Sequence, residues 1–203
     1  MAGMVTLILV VRPGLAADNL KELVALVRAA PDRHSFGSPG LGSAHHLLAE
    51  LIKARESLRL THVPYAGSAK AVVDLIEGRF DFMFLDATVA MPHIASGKLR
   101  PLVVTGRGRY HALPDAPALA DTYPDFDSQP WMSFVGPAGL PDELAERING
   151  EINNALREQE FATKLQIAGL APMPLTIQSF GDLIRRDSAR WAQLVRISGA
   201  RAE

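Results

Sequence analysis

The chain has 203 residues, 48% of them apolar, with 21 Lys plus Arg against 22 Asp plus Glu and no cysteine. That length suits one sizeable core or a domain and a half, and the balanced charge offers no field to gather nucleic acid or an anionic membrane. Disulfides, thiolate metal sites and cysteine nucleophiles are excluded outright.

Met1 to Val11 is apolar, lacks a basic start and is too short to span a bilayer. Arg12-Pro13-Gly14 stands where a signal peptide would place small residues, so no signal peptide is read here. Val5 to Val11 is instead expected as a β-strand buried on both faces. Asp18 is expected to cap a helix whose Leu20, Leu23, Val24 and Val27 recur at helical spacing. His34 to Gly37 reads as a short strand entering a glycine-rich turn, after which Ser43 caps a helix with Leu47, Leu48, Leu51 and Ile52 inward.

Leu60 to Val63 is the next strand, and Ser68 is expected to cap a helix with Val72, Val73 and Ile76 inward. Phe80 to Leu85 follows as an apolar strand, then a short helix near Val89 to Ser96 that Gly97 stops, then a strand from Leu99 to Thr105. Short strands alternating with helices predict an α/β fold with a mostly parallel sheet covered on both faces. Gly106 to Pro130 reads as a long connection and Trp131 to Gly136 as a further strand. Pro141 starts a helix running to about Arg157, and Gly169 closes the next one. Ala171 to Pro174 is extended. Thr176 caps a last helix with Ile177, Phe180, Leu183, Ile184, Trp191, Leu194 and Val195 on one side.

Three turns carry the possible chemistry. In Gly37-Ser38-Pro39-Gly40-Leu41-Gly42-Ser43-Ala44-His45-His46, a strand, a glycine-rich turn and a helix start present backbone N–H groups at the positive end of a helix. Such an arrangement binds carboxylate or phosphate. Gly37, Gly40 and Gly42 would let a ligand approach the backbone, and Ser38 and Ser43 add hydroxyl donors. The plain alternative is a tight turn with Ser43 as a helix cap. The spacing matches neither the dinucleotide fingerprint nor the P-loop, and Ser43 does not sit in a nucleophile elbow. His45 and His46 are adjacent, hence about 100° apart on a helix, a poor arrangement for chelating one metal. Neither a metal nor a cofactor is expected.

The second turn is His62-Val63-Pro64-Tyr65-Ala66-Gly67-Ser68, where Tyr65 could line a pocket and donate its hydroxyl or simply pack beside the turn. The third is at Asp86, after Phe82-Met83-Phe84-Leu85, where an acid either meets a ligand at the strand's carboxyl end or caps the following helix. In a parallel sheet these turns converge on one edge. They form a backbone-rich cradle without a matched nucleophile and base, which favours binding over catalysis. A small enzyme using Ser43 with His45 or His46 is the catalytic alternative.

The ordered series Phe36-Gly-Ser-Pro-Gly-Leu-Gly-Ser-Ala-His-His-Leu47, His62-Val-Pro-Tyr-Ala-Gly-Ser68, Asp81-Phe-Met-Phe84, Pro92-His-Ile94, Gly97-Lys-Leu-Arg100, Val104-Thr-Gly106 and Ala112-Leu-Pro-Asp115 resembles the solute-binding receptors of tripartite tricarboxylate transporters, the Bug receptors. Trp131, Pro137-Ala-Gly139, Ile148-Asn149 and the region of Trp191 extend the resemblance to the C-terminus. Lys70, where a proline is common, and Pro101, where a small apolar residue is usual, depart from it.

The resemblance implies a periplasmic protein of the type II periplasmic binding-protein kind, whose two α/β lobes clasp a small carboxylate and which works with membrane transporter subunits. It implies that residues 5–130 form one ligand-binding lobe, and that 131–203 supply a return crossing strand and helices belonging with the other. The turn from Gly37 to Ser43 would hold a ligand carboxylate, with His45 beside it. Tyr65, Ala66, Gly67 and Ser68 would wall the pocket, and Asp86 would approach the distal part of the ligand. Against the family pattern the first third is absent, signal peptide included. A homodimer or a partner chain is therefore expected over the apolar faces after Pro141. A remnant that serves as an interaction module without a ligand is the other reading.

Overall fold

The computed structural model describes residues 1–106, 108–124 and 129–199. Parts of the expected connection from Gly106 to Pro130, and the last four residues of the chain, therefore lie outside the described residues. The expected strand from Val5 to Val11 is divided at Thr6 into β1 (Gly3–Val5) and β2 (Leu7–Val11), and the two pieces join different sheets. Thr6 is buried between them. Its N–H donates to the Gly169 carbonyl at 2.8 Å and its carbonyl accepts from Ala87 N–H at 3.1 Å.

After β2 come α1 (Leu20–Ala29), β3 (Ser35–Ser38), α2 (Ala44–Arg55), β4 (Thr61–Pro64), α3 (Ser68–Ile76), β5 (Phe82–Asp86), α4 (Ala87–Ala95) and β6 (Arg100–Val104). Among the described residues the larger sheet has the order β4-β3-β5-β2-β6. β3 pairs parallel with β4 and β5, whereas β2 pairs antiparallel with β5 and β6. Four strands thus point one way, as expected. β2 alone opposes them, because it arrives from the other sheet and not over a crossover helix.

The apolar run of β2 is explained by its two covers. Leu7, Leu9 and Val11 face a core built with Leu20, Leu23, Val24 and Val27 of α1 and Leu48 and Ile52 of α2. Ile8 and Val10 face a second core with Val72 and Leu75 of α3 and Ala87 and Ala90 of α4. Each of these leucine, isoleucine and valine side chains removed from water contributes roughly 1.5–3 kcal/mol.

Two helix caps differ from the sequence expectation. The α1 cap is Asn19 and not Asp18: Asn19 Oδ1 accepts the Glu22 N–H at 3.0 Å, and the Glu22 carboxylate accepts from Asn19 Nδ2 and from Asp18 N–H. Asp18 instead pairs with Arg100. Asn19→Ala is therefore expected to cost about 1 kcal/mol in urea denaturation, and Asp18→Ala, an exposed pair, less than about 1 kcal/mol. At α3 the cap position is Gly67, with φ +114° and no side-chain bond, and Ser68 is already helical. Leu75 takes the inward place expected of Val73, which is 52% exposed.

The remainder comprises α5 (Leu119–Thr122), β7 (Trp131–Met132), α6 (Asp142–Arg157), α7 (Gln159–Ile167), β8 (Leu170–Pro172) and α8 (Ile177–Ser198). The smaller sheet has the order β7-β1-β8, antiparallel throughout. Only the first two residues of the expected strand Trp131 to Gly136 pair. Thr176 caps α8 by accepting the Ser179 N–H, as read from the sequence. Helix α8 packs on α2. It is anchored by Asp187, which accepts from Trp131 Nε1 at 2.7 Å, and by Phe180, edge-on to the Trp131 ring. No helix among the described residues is long and apolar enough to cross a membrane.

Candidate functional site

Because β3, β4 and β5 run parallel, the turns that follow them open on one edge of the sheet. The turns touch. Tyr65 N–H donates to the Ser38 carbonyl and Gly67 N–H to the Pro39 carbonyl, both at 2.9 Å, which locks the second turn to the first. The third joins through His45 Nε2, 3.4 Å from Asp86 Oδ2. The starts of α2, α3 and α4 are thereby gathered in one place, each with first-turn N–H groups that no residue of its own helix accepts.

Within the first turn, two of the three glycines have a structural reason. A Cβ at Gly37 would lie 2.4 Å from the buried Phe80 ring, so this glycine makes room for Phe80 and not for a ligand. Gly42 has φ +71° with nothing within 4 Å of a Cβ, so the backbone conformation itself asks for glycine. Gly40 meets only the Tyr65 carbonyl, at an ordinary 3.7 Å.

The serines are already engaged. Ser43 Oγ accepts the His46 N–H as the cap of α2 and donates to the Gly40 carbonyl at 2.7 Å. Ser38, fully buried, also donates to the Gly40 carbonyl, at 3.1 Å. The expected hydroxyl donors are thus spent on the turn itself, and the donors left at the start of α2 are the N–H groups of Ala44 and His45.

Two histidines clasp this turn from below. Gly42 N–H donates to His46 Nδ1 at 3.1 Å, and His62 Nε2 lies 2.7 Å from Ser38 Oγ. Their rings stack with centroids 3.9 Å apart at 10°, and Phe36 stacks on His62 at 4.8 Å. Burial keeps both imidazoles neutral. It pulls His62 down to about 4, helped by the neighbouring His46 and Lys53, and it lowers His46 despite the opposing pull of Glu50.

The Tyr65 hydroxyl does not reach the shared edge. It donates to the buried Asp74 carboxylate at 2.9 Å, and burial together with that acid pushes its pKa up to about 12. The ring packs on Phe80, so Tyr65 takes the packing role weighed as its alternative. Ala66 and Gly67 remain at the edge through their backbone. Asp86 occupies the cap position of α4 without bonding the helix, so the capping alternative does not hold. The His45 imidazole beside it holds its carboxyl below the ordinary range, and its side chain is 36% exposed.

His45, Ala44, Gly67, Ser68 and Asp86 thus meet at one edge, whereas the side chains of Ser38, Ser43 and Tyr65 support it from within. Gly42 and Ala44 also border a recess of about 360 Å³ whose opposite wall is Pro130, Trp131 and Trp191. Among the described residues no group of three His, Cys, Asp or Glu side chains could hold a metal. The stacked His46 and His62 were missed by sequence reasoning. The available signal was a histidine in each of two turns expected to converge on one edge.

The model of the tripartite tricarboxylate transporter family receptor matches residues 1–199. Protein BugT of Bordetella pertussis is 34% identical over 202 residues, covering 99% of this chain and 62% of BugT. The UPF0065 protein in the tcbD-tcbE intergenic region of Pseudomonas sp. (strain P51) is 33% identical over 190 residues, covering 93% and 56%. Among solved structures, R. palustris Rpa4515 with adipate is similar with a TM-score of 0.90 at 28% identity, over 98% of this chain and 67% of that one. MatC from Rhodopseudomonas palustris with bound malate is similar in fold, with a TM-score of 0.82 at 24% identity over 95% and 67%. The chain spans 56–62% of the length of these two curated relatives.

Proposed function

The chain belongs to the tripartite tricarboxylate transporter receptor family, a family of solute-binding receptors and not of enzymes, and from that premise we propose that it binds a small carboxylate at the edge shared by its three turns. The carrying observation is the contact of those turns, which brings the starts of α2, α3 and α4 together beside the His45–Asp86 pair. Backbone N–H groups of Ala44 and His45 take the ligand's carboxylate, favoured by the helix dipole. Ala66, Gly67 and Ser68 wall it, and Asp86 faces its far end. Residues 5–130 act as the ligand-binding lobe, and the helices after Trp131 belong with the opposing one. In an uptake system the loaded receptor delivers its ligand to membrane subunits.

The adipate and malate named with two solved neighbours give the first ligands to test. At a hundred times its dissociation constant a ligand adds about 2.7 kcal/mol, or roughly 5–10 °C for a chain of this size. A thermal-shift panel of mono-, di- and tricarboxylates and acidic amino acids is expected to give such a shift for one class. The shift should shrink in Ser43→Ala, which removes the hydroxyl that donates to the Gly40 carbonyl and accepts the His46 N–H, and so loosens the start of α2. A flat panel contradicts the reading and favours an interaction module that takes no ligand.

Exposed apolar side chains gather around β7, α6 and α7. Phe134 is 65% and Val135 84% exposed, and a groove of about 440 Å³ lies among Met132, Phe134, Ile152, Leu156, Phe161 and Leu165. Apolar surface of this kind is covered in a working protein. A second copy or a partner chain is the proposed cover, so sedimentation at rising concentration is expected to show self-association. A monomer throughout counts against the second copy.

A further inference from the structure

We propose that His46 and His62 are positioning residues of the binding turn, a stacked and uncharged imidazole pair whose outer nitrogens hold Gly42 and Ser38 and so decide which N–H groups face a ligand. The inference rests on the binding site proposed above, and its geometry is independent of any ligand.

His46 Nδ1 accepts the Gly42 N–H at 3.1 Å, so its own proton sits on Nε2, the side of Glu50 Oε1 at 3.9 Å. Ser38 Oγ donates to the Gly40 carbonyl and accepts the Gly40 N–H at 3.3 Å, which leaves it to accept a third bond from His62 Nε2–H at 2.7 Å. One ring rises from the first turn of α2 and the other from β4, with Phe36 of β3 beneath. Three elements of the fold therefore converge on a stack whose hydrogen bonds run to the turn, at Gly42 and Ser38.

Gly42 N–H is withdrawn to His46 and Gly40 N–H to Ser38, while Ala44 and His45 stay open. A charged His46 would set an Nδ1–H against the Gly42 N–H and break this arrangement. Burial disfavours that charge in both rings. The charged groups facing the pair are Glu50 and Lys53 of α2, the former favouring protonation of His46 and the latter opposing it in both.

The test compares His46→Asn, whose Oδ1 replaces Nδ1 as an acceptor, with His46→Leu, which has similar bulk and no acceptor. Adipate affinity by calorimetry is expected to fall about tenfold in the leucine variant and to stay within about threefold of wild type in the asparagine variant. In the ligand-free protein the Gly42 amide is expected to exchange about tenfold faster in His46→Leu alone. His62→Gln, which keeps a donor near the Nε2 position, should bind like wild type, and His62→Leu should not. Unchanged affinity and unchanged Gly42 exchange in His46→Leu overturn the proposal. So does a nitrogen spectrum of the wild type that places the His46 proton on Nδ1 at neutral pH, a readout that holds even where His46→Leu does not fold. Failure of the wild type to bind any carboxylate overturns the binding reading instead, and Gly42 exchange alone then decides the positioning role.

Discussion

Between pH 6.5 and 4 the folded protein is expected to lose roughly 2–3 kcal/mol through His62 alone. Burial holds the folded imidazole at about 4, against an ordinary value of 6.5. As the pH falls through that window, the unfolded chain takes up a proton that the folded chain refuses. The linkage therefore favours unfolding, and stability rises with pH up to about 6.5. Below about 4 both states are protonated and the loss stops growing. His46, lowered for the same principal reason, adds loss of the same sign. Asp86 acts elsewhere: its carboxyl lies below the ordinary range, so its contribution is lost only as the pH falls further, through that depressed value. Urea denaturation at pH 7, 5.5 and 4 measures the effect. His62→Gln, which cannot titrate, is expected to flatten the slope; an equally steep slope in that variant removes His62 as the cause.

Phe36→Ala is expected to destabilise the protein by about 3–5 kcal/mol. Phe36 is fully buried in β3, stacked on Phe82 on one side and on His62 on the other. Its removal leaves a cavity between β3 and α2 directly beneath the turn from Gly37 to Ser43. The melting temperature should fall by roughly 6–20 °C, and the Gly42 amide should lose protection, because the histidine stack then has no floor. Phe134→Ala, at a phenylalanine mostly in solvent, is expected to stay within about 0.5 kcal/mol. Equal losses at the two sites would mean that the stack under the turn is not part of the core.

The contrast between these phenylalanines reflects what the sequence makes legible. β2 was readable because Leu7 to Val11 is apolar at every position, the pattern of a strand covered on both faces. Helices α1, α2 and α8 announced themselves by apolar spacing, and α2 and α8 also by Ser43 and Thr176 as caps. The division at Thr6 was not readable. It is made by hydrogen bonds to Gly169 and Ala87, far along the chain, and local pattern carries no trace of them.

The site shows the same boundary. Gly37 looked like room for a ligand, yet Phe80 occupies that room. Tyr65 looked like a pocket donor until Asp74, one helix further on, claimed its hydroxyl. Asn19 and Asp18 are equally good capping types, and only the backbone geometry chooses between them. Convergence of the three turns was legible, since it follows from strand direction. The stacking of His46 on His62 was not, because it depends on the parallel register that sets Phe36 beside His62.

The most direct test of the proposed site is a nitrogen–proton correlation titration of the chain with adipate, with malate in parallel. A carboxylate seated at the start of α2 should move the Ala44 and His45 amides first, with Gly67, Ser68 and Asp86 following, and should leave the far end of α6 untouched. Shifts confined to the recess of Trp131 and Trp191, or no shifts at all, would contradict a carboxylate site at the shared edge of the three turns.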